Sequence, residues 1–351
     1  MAVINIKHKL ALATASLLAS GVQASDQQDE PTRLYNKWNI DVGYLHYNEP
    51  DYITVDTYMA MINGDLSDKD TIKLGLVFDT LTGATPTGAL PGSESVTVTG
   101  VSGGGVSAAG SKGGTAPFND TRLAIDATWG HEWERLKRSN LGIHISVEGD
   151  YTSVGGSLIM ELDSKDRTHT YTAGFGAASD KVSRSNEQTP SPLTQSSKAV
   201  MFGAGHKNTL DAMVGVTRVI NRRTVGMLNF SLSQSLGYHT DPYKVISVAD
   251  ANDIEVTDGA TFEHRPDSRL RHILYGKIKH ELPENGHHLG LSYRFHGDSW
   301  DVTSHTLEAS YSLPVMQTHK LEPFVRLYHQ QAAKFYTKTL AFDGLETSNW
   351  E

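Results

Sequence analysis

The 351-residue sequence contains no cysteine. Disulfides, thiolate zinc sites, iron–sulfur clusters and c-type haem attachment are therefore all excluded. It also lacks an excess of positive charge. With 31 Lys and Arg against 40 Asp and Glu the formal charge is −9, which argues against a phosphate-rich partner such as nucleic acid. Past residue 31 no apolar run approaches the ~20 residues of a membrane-spanning helix, so a membrane protein of this sequence must cross as strands. Catalytic signatures are missing too. There is no Gly-x-Ser-x-Gly elbow, and Ser304 and His305, adjacent in a predicted strand, must point to opposite faces. The expectation is a protein that is not an enzyme and has no cofactor.

The N-terminus has the three parts of a Sec signal peptide. Lys7, His8 and Lys9 end a short basic region, residues 10–22 are apolar, and Val22-Gln23-Ala24 supplies the small residues of a cleavage site. The expected organisation is a signal peptide at 1–24, a periplasmic segment at 25–36 and an outer-membrane β-barrel over 37–351. An exported protein without disulfides needs another source of stability, and a closed barrel pairs every backbone group.

Alternation with period two recurs through the rest. Ile72, Leu74, Leu76 and Phe78 alternate with Lys73, Gly75 and Asp79; Leu141, Ile143, Ile145 and Val147 alternate with Gly142, His144, Ser146 and Glu148. Leu289, Leu291, Tyr293 and Phe295 likewise oppose Gly290, Ser292, Arg294 and His296. Each such stretch has about the length a tilted strand needs to cross a bilayer. About thirteen strands are predicted, starting near Trp38, Ile53, Thr71, Thr121, Leu141, Gly156, Thr168, Thr209, Thr224, Arg269, Gly286, Val302 and Leu321. Short connections follow the even-numbered ones, at 66–70, 134–140, 163–167, 221–223, 283–285 and 314–320. The long connections, 83–119, 178–206 and 240–268, all follow odd-numbered ones. Outer-membrane barrels sort their loops this way, with tight periplasmic turns and long external loops. The predicted fold is all-β, a transmembrane antiparallel up-and-down barrel with its N-terminus in the periplasm. A Gly-rich linker between two domains at 100–114 is the competing reading, but strands of one character flank it on both sides.

Several segments resemble one bacterial outer-membrane β-barrel family, exported and porin-like, that is classed as a domain of unknown function. They include Asp79-Thr80-Leu81-Thr82-Gly83-Ala84-Thr85-Pro86, Asp120-Thr121-Arg122, Val214-Gly215-Val216-Thr217-Arg218-Val219-Ile220-Asn221-Arg222-Arg223-Thr224, Gly237-Tyr238-His239-Thr240-Asp241-Pro242-Tyr243-Lys244 and Phe335-Tyr336. The resemblance implies a barrel and no particular substrate. It also implies further strands beyond Phe335-Tyr336, so the complete protein is expected to have about 16 strands and this chain to lack the closing ones.

Alternation assigns Lys73, Asp79, Arg122, Asp126, Glu148, Arg271, Lys277, Lys279, Arg294, Glu308 and Arg326 to the lumen. Two readings stay open. These charges form a constriction that selects solutes, or a structural ion-pair network lining a narrow or plugged lumen. Of the 16 histidines, His144 and His296 are expected in the lumen and His131, His272 and His280 near the membrane interfaces. No metal-ligand spacing occurs among them. Asp241, Asp250, Asp253, Asp258 and Asp267 lack calcium-loop spacing and are expected to be solvated loop carboxylates. The expected function is a porin-like channel or the outer-membrane conduit of an export system, the alternative a non-conducting scaffold. Expected partners are outer-membrane lipid, the barrel-assembly machinery and periplasmic proteins, with no nucleic acid.

Overall fold

The structure, a computed structural model, describes residues 38–49, 53–86, 95–97, 107–109, 115–184, 187–194, 198–246, 261–283, 286–315 and 320–337. The signal-peptide and periplasmic segments, the stretch 100–106 and the C-terminal residues 338–351 lie outside them. Among the described residues there is no α-helix.

The strands are β1 (Asn39–Glu49), β2 (Ile53–Asp65), β3 (Asp70–Pro86), β4 (Thr115–Glu134), β5 (Lys137–Val147), β6 (Tyr151–Asp163), β7 (His169–Val182), β8 (Gly205–Asn221), β9 (Thr224–Gly237), β10 (Ser268–Glu281), β11 (His288–Asp298), β12 (Thr303–Pro314) and β13 (Phe324–Gln330). Each pairs antiparallel with the next in one sheet of fourteen segments; the fourteenth, Lys320–Leu321, pairs with β12 on the same course as β13, so the sheet has thirteen positions. This is the up-and-down order of the sequence reading. Among the described residues β1 and β13 each have one neighbour in the sheet.

Four strands begin several residues before their predicted starts, because residues 115–120, 137–140, 151–155 and 205–208 continue the pairing instead of forming loops. The connection predicted at 134–140 is thus a two-residue turn at Arg135 and Leu136. The long loops are also more ordered than a polar composition suggests. Each carries a small hairpin: Ser95–Thr97 with Ser107–Ala109, Gln188–Pro190 with Met201–Gly203, and Val245–Ile246 with Thr261–Phe262.

The two faces of the sheet differ in kind. On one, Val42 (81% exposed), Ile143 (58%) and Leu210 (65%) belong to rows of aliphatic and aromatic side chains with nothing packed on them. On the other, Asp79 (4%), Ser146 (2%) and Asp180 (5%) are shielded by the curved wall. A soluble sheet buries its apolar face; here the apolar face is outside and continuous, which suits hydrocarbon and not water. Rings cluster at both borders of this belt. At the short-turn end His131 lies between Trp129 and Trp133, with ring centroids 5.5 and 4.5 Å apart, and His287 meets Tyr311 at 5.5 Å. Towards the long-loop end Tyr44 packs on Tyr58 at 5.2 Å, and Phe295 lies between His272 and His305 at 5.9 and 5.4 Å. Aromatic girdles of this type mark the two interfaces of a membrane barrel, where rings with one apolar and one polar side are at home.

Candidate functional site

The inner face holds the candidate site. Strand register places all eleven residues assigned to the lumen there, although Glu148 follows the end of β5 by one residue. Cross-strand pairing then shows which of them meet. Asp79 and Arg122 are directly opposite on β3 and β4 and form an ion pair in which the carboxylate is almost fully buried. Asp126 Oδ1 lies 2.7 Å from His144 Nδ1 and accepts from it in the tautomer that carries the Nδ1 proton. Arg326 donates twice to Glu308, at 2.6 and 2.8 Å. Glu322 pairs with Lys320 at 3.5 Å. Arg271 donates to Ser233 Oγ at 2.9 Å. Lys73, Lys277, Lys279 and Arg294 have no ion-pair partner among the described residues; Arg294 lies across from Tyr275 on one side and Thr306 on the other.

Three further inner-face pairs escaped the sequence reading. Arg138 reaches Asp163 at 2.6 Å and Glu161 at 3.2 Å, Lys207 reaches Asp180 at 2.8 Å, and Arg269 pairs with Asp298. Arg138 and Asp180 stand in predicted connections and Lys207 just ahead of the strand start predicted near Thr209, and the signal that finds them is the continuation of alternation through polar residues. Ser304 and His305 do diverge as expected: Ser304 is buried on the inner face, while His305 is exposed and bonds Tyr293 on the outer one.

Beyond β9 the chain turns over this inner face. Gly237 has φ +109°, and a Cβ there would lie 2.2 Å from the His206 carbonyl oxygen, so only glycine makes the exit. His239 then bonds Ser235 on the inner face at 2.7 Å and packs on Trp300, over which the Arg269 guanidinium lies at 4.3 Å. The segment that follows is buried more deeply than any strand. Tyr243, Val245, Ile246, Phe262 and Glu263 are at most 3% exposed. Leu193 N donates to the Phe262 carbonyl and Phe262 N to that of Thr194, which joins the loop after β7 to the loop after β9. Arg184 lies against both the Tyr243 and Phe262 rings, at 4.9 and 5.5 Å. The two loops thus build one compact cap at the mouth.

This corrects the expectation for Asp241, which is only partly exposed. Its carboxylate accepts from Tyr243 N at 2.9 Å inside the cap, and its own N–H donates to Glu263 Oε1 at 3.0 Å. Asp267 is exposed, and Asp250, Asp253 and Asp258 lie outside the described residues. Burial raises the Asp241 pKa and pushes Glu263 up to about 6, against the pull of Arg265, whose Nε is 2.7 Å from Glu263. Lys244, also buried, is shifted down. A carboxyl whose folded pKa is raised stabilises the fold while protonated, and that contribution is lost as pH rises from the ordinary value of 4.5 through about 6. Between pH 4 and pH 7.5 the amides of Tyr243, Val245 and Ile246 are therefore expected to lose about 2 kcal/mol of hydrogen-exchange protection. Glu263→Gln should flatten that dependence. Equal pH dependence in the wild type and the variant would remove Glu263 from the account.

One group of carboxylates converges closely enough to share a cation. Oxygens of Asp120, Glu148 and Asp150 lie within 4.8 Å of one another at the long-loop end of β4 to β6, and such hard donors suit Ca²⁺ or Mg²⁺.

Solved outer-membrane receptors are among the similar structures. A mutant of the ferric enterobactin receptor from Pseudomonas aeruginosa matches with a TM-score of 0.42 and 13% identity, over 81% of this chain and 42% of that one. The siderophore receptor PirA from Acinetobacter baumannii gives 0.41 and 11%, over 84% and 43%. The ferric-catecholate import receptor Fiu from E. coli K12 gives 0.41 and 11%, over 84% and 57%. The chain thus spans about half the length of these structures. No curated protein matches it. The model of one family, described as "Protein of unknown function (DUF3570)", matches residues 7–347, and the chain belongs to that family.

Proposed function

We propose that the protein is exported through a cleaved signal peptide and spans the bacterial outer membrane as a porin-like channel or transport conduit. Its short turns lie in the periplasm and its capped loops outside. Outer-membrane lipid and the barrel-assembly machinery are its partners in this reading, and periplasmic proteins would meet the short-turn end. The observation that carries it is the division of the wall: ionisable side chains crowd the inner face, while an apolar belt with ring-rich borders covers the outer one. Within a low-dielectric wall Lys73, Lys277, Lys279 and Arg294, which have no ion-pair partner among the described residues, would hold a positive potential and favour anionic solutes.

Two observations favour the non-conducting alternative, a barrel that scaffolds partners. Much of the inner charge is neutralised in cross-strand pairs, and the cap folds over the mouth. Planar-bilayer recordings on the full-length protein separate the two. A channel should conduct with anion preference, and Lys277→Glu with Arg294→Glu should shift the reversal potential toward cations while heat-modifiable migration on gels is kept. A wild-type protein that inserts and does not conduct supports the scaffold. Recovery as a soluble periplasmic protein would sink both.

A further inference from the structure

The outer belt has a gap. Gly226 on β9 and Gly276 on β10 both face outward, and the register sets them diagonally adjacent: Gly226 pairs with Ile278, and Gly276 with Leu228. Ile220 folds over Gly226, its Cδ1 3.3 Å from where a Cβ would stand, whereas Gly276 stays open, and there the wall holds an open groove of about 590 Å³, within the ~300–1,000 Å³ of small-ligand sites. Ile220, Leu228, Tyr293 and Leu307 form its sides. From the short-turn rim to Gly276 it rises about five residues of strand, roughly 17 Å, or about half of a ~30 Å hydrocarbon layer.

At the rim the groove meets Arg218, directly across from Gly226 and facing outward at the border of the apolar belt, where His169 and His280 also face outward. An arginine there needs either water or an anion. Arg222 and Arg223 make up the turn immediately beyond, and His169 stands across from Arg218 on β7. In the adjoining turn the Asp166 carboxylate is engaged by Ser164 and Thr168, at 2.5 and 2.8 Å. An apolar slot running into the membrane from a cluster of arginines at its border has the charge and shape of a lipid with an anionic head.

We propose that this groove binds one anionic glycerophospholipid, its phosphate held by Arg218 with Arg222 and Arg223 and one acyl chain lying along Ile220 and over Gly276. The inference rests on the membrane-spanning reading. A lipid A, with several acyl chains on one head, exceeds what a groove of this size takes.

The test uses full-length protein reconstituted in nanodiscs of phosphatidylcholine with a minority of phosphatidylglycerol, then extracted into mild detergent for native mass spectrometry. The wild type should retain one phosphatidylglycerol in preference to phosphatidylcholine, whose choline would face the arginines. Arg218→Gln should cut retention roughly tenfold, as loss of a charge-assisted contact predicts. Gly276→Leu should abolish it by filling the slot. A Cβ at Gly276 meets nothing closer than 3.8 Å, so this variant folds, which unchanged heat-modifiable migration checks. Wild-type protein that stays soluble without detergent overturns the membrane reading and this site with it. Inserted protein with no phospholipid adduct, with equal retention of the two lipids, with adducts indifferent to both substitutions, or with a preference for added lipopolysaccharide overturns the site alone.

Discussion

Asp298→Ala is expected to destabilise the protein by about 3–5 kcal/mol, the range for removing one partner of a buried ion pair. The Asp298 side chain is fully buried at the head of the connection between β11 and β12. One carboxylate oxygen accepts from Arg269 Nε at 2.8 Å, and the other from the backbone N–H groups of Trp300 and Val302 at 2.9 and 3.0 Å. Alanine leaves the Arg269 guanidinium under the Trp300 ring without its counter-ion and two turn amides without their acceptor. Asp298→Asn keeps an acceptor for the amides and loses the charge, so it should fall between. Glu308→Ala is the control: its partner Arg326 is 59% exposed, and such pairs contribute at most about 1 kcal/mol. Urea titration in lipid vesicles, followed by tryptophan fluorescence, gives all three values. A loss below about 1 kcal/mol for Asp298→Ala would show that the pair does not hold this corner.

Adjacent positions on β5 provide the second large contrast. Ile143 lies at the middle of the strand and points outward, 58% exposed. His144 points inward to Asp126. Arginine at position 143 would place a charge at the depth of the bilayer centre, which costs about 2–4 kcal/mol on the lipid face of a barrel. His144→Arg keeps a donor beside Asp126 in a polar lumen and should change stability by less than about 1 kcal/mol. If the outer face met water, Ile143→Arg would be a surface substitution within about 0.5 kcal/mol of neutral. Vesicle unfolding titrations decide. Equal, small effects at the two positions would remove hydrocarbon from the outer face.

Much of this was legible without coordinates, and particular residues show why. Strand geometry sends neighbours to opposite faces, so Lys73 and Leu74, or Ile143 and His144, could be assigned to faces by parity alone. Near-continuous alternation over membrane-scale lengths yields strand number and order, because each of these strands pairs with the next. Polar stretches were the weak point. Arg138, Asp180 and Lys207 stand in segments whose composition resembles loops, yet the ladder continues through them because backbone pairing does not depend on side-chain polarity. Asp241 differs from its expectation for a related reason: an acidic loop residue is usually solvated, and its partial burial comes from the far end of its own loop, where Glu263 accepts from its N–H.

What the sequence by itself determined, then, is the all-β meander and the sidedness of its wall, since both follow from a local period that each strand expresses independently. Tertiary structure decided everything that depends on two distant segments at once. That Asp298 meets Arg269, that the loops after β7 and β9 close into one cap, and that Gly276 lies in one groove with Ile220, Leu228 and Tyr293 are consequences of register. The physical reason is the geometry of the ladder. Alternation settles which face a side chain takes, whereas its cross-strand neighbour depends on turn length and pairing offset, and a shift of one residue between strands would change every partner and bring the opposite face into view.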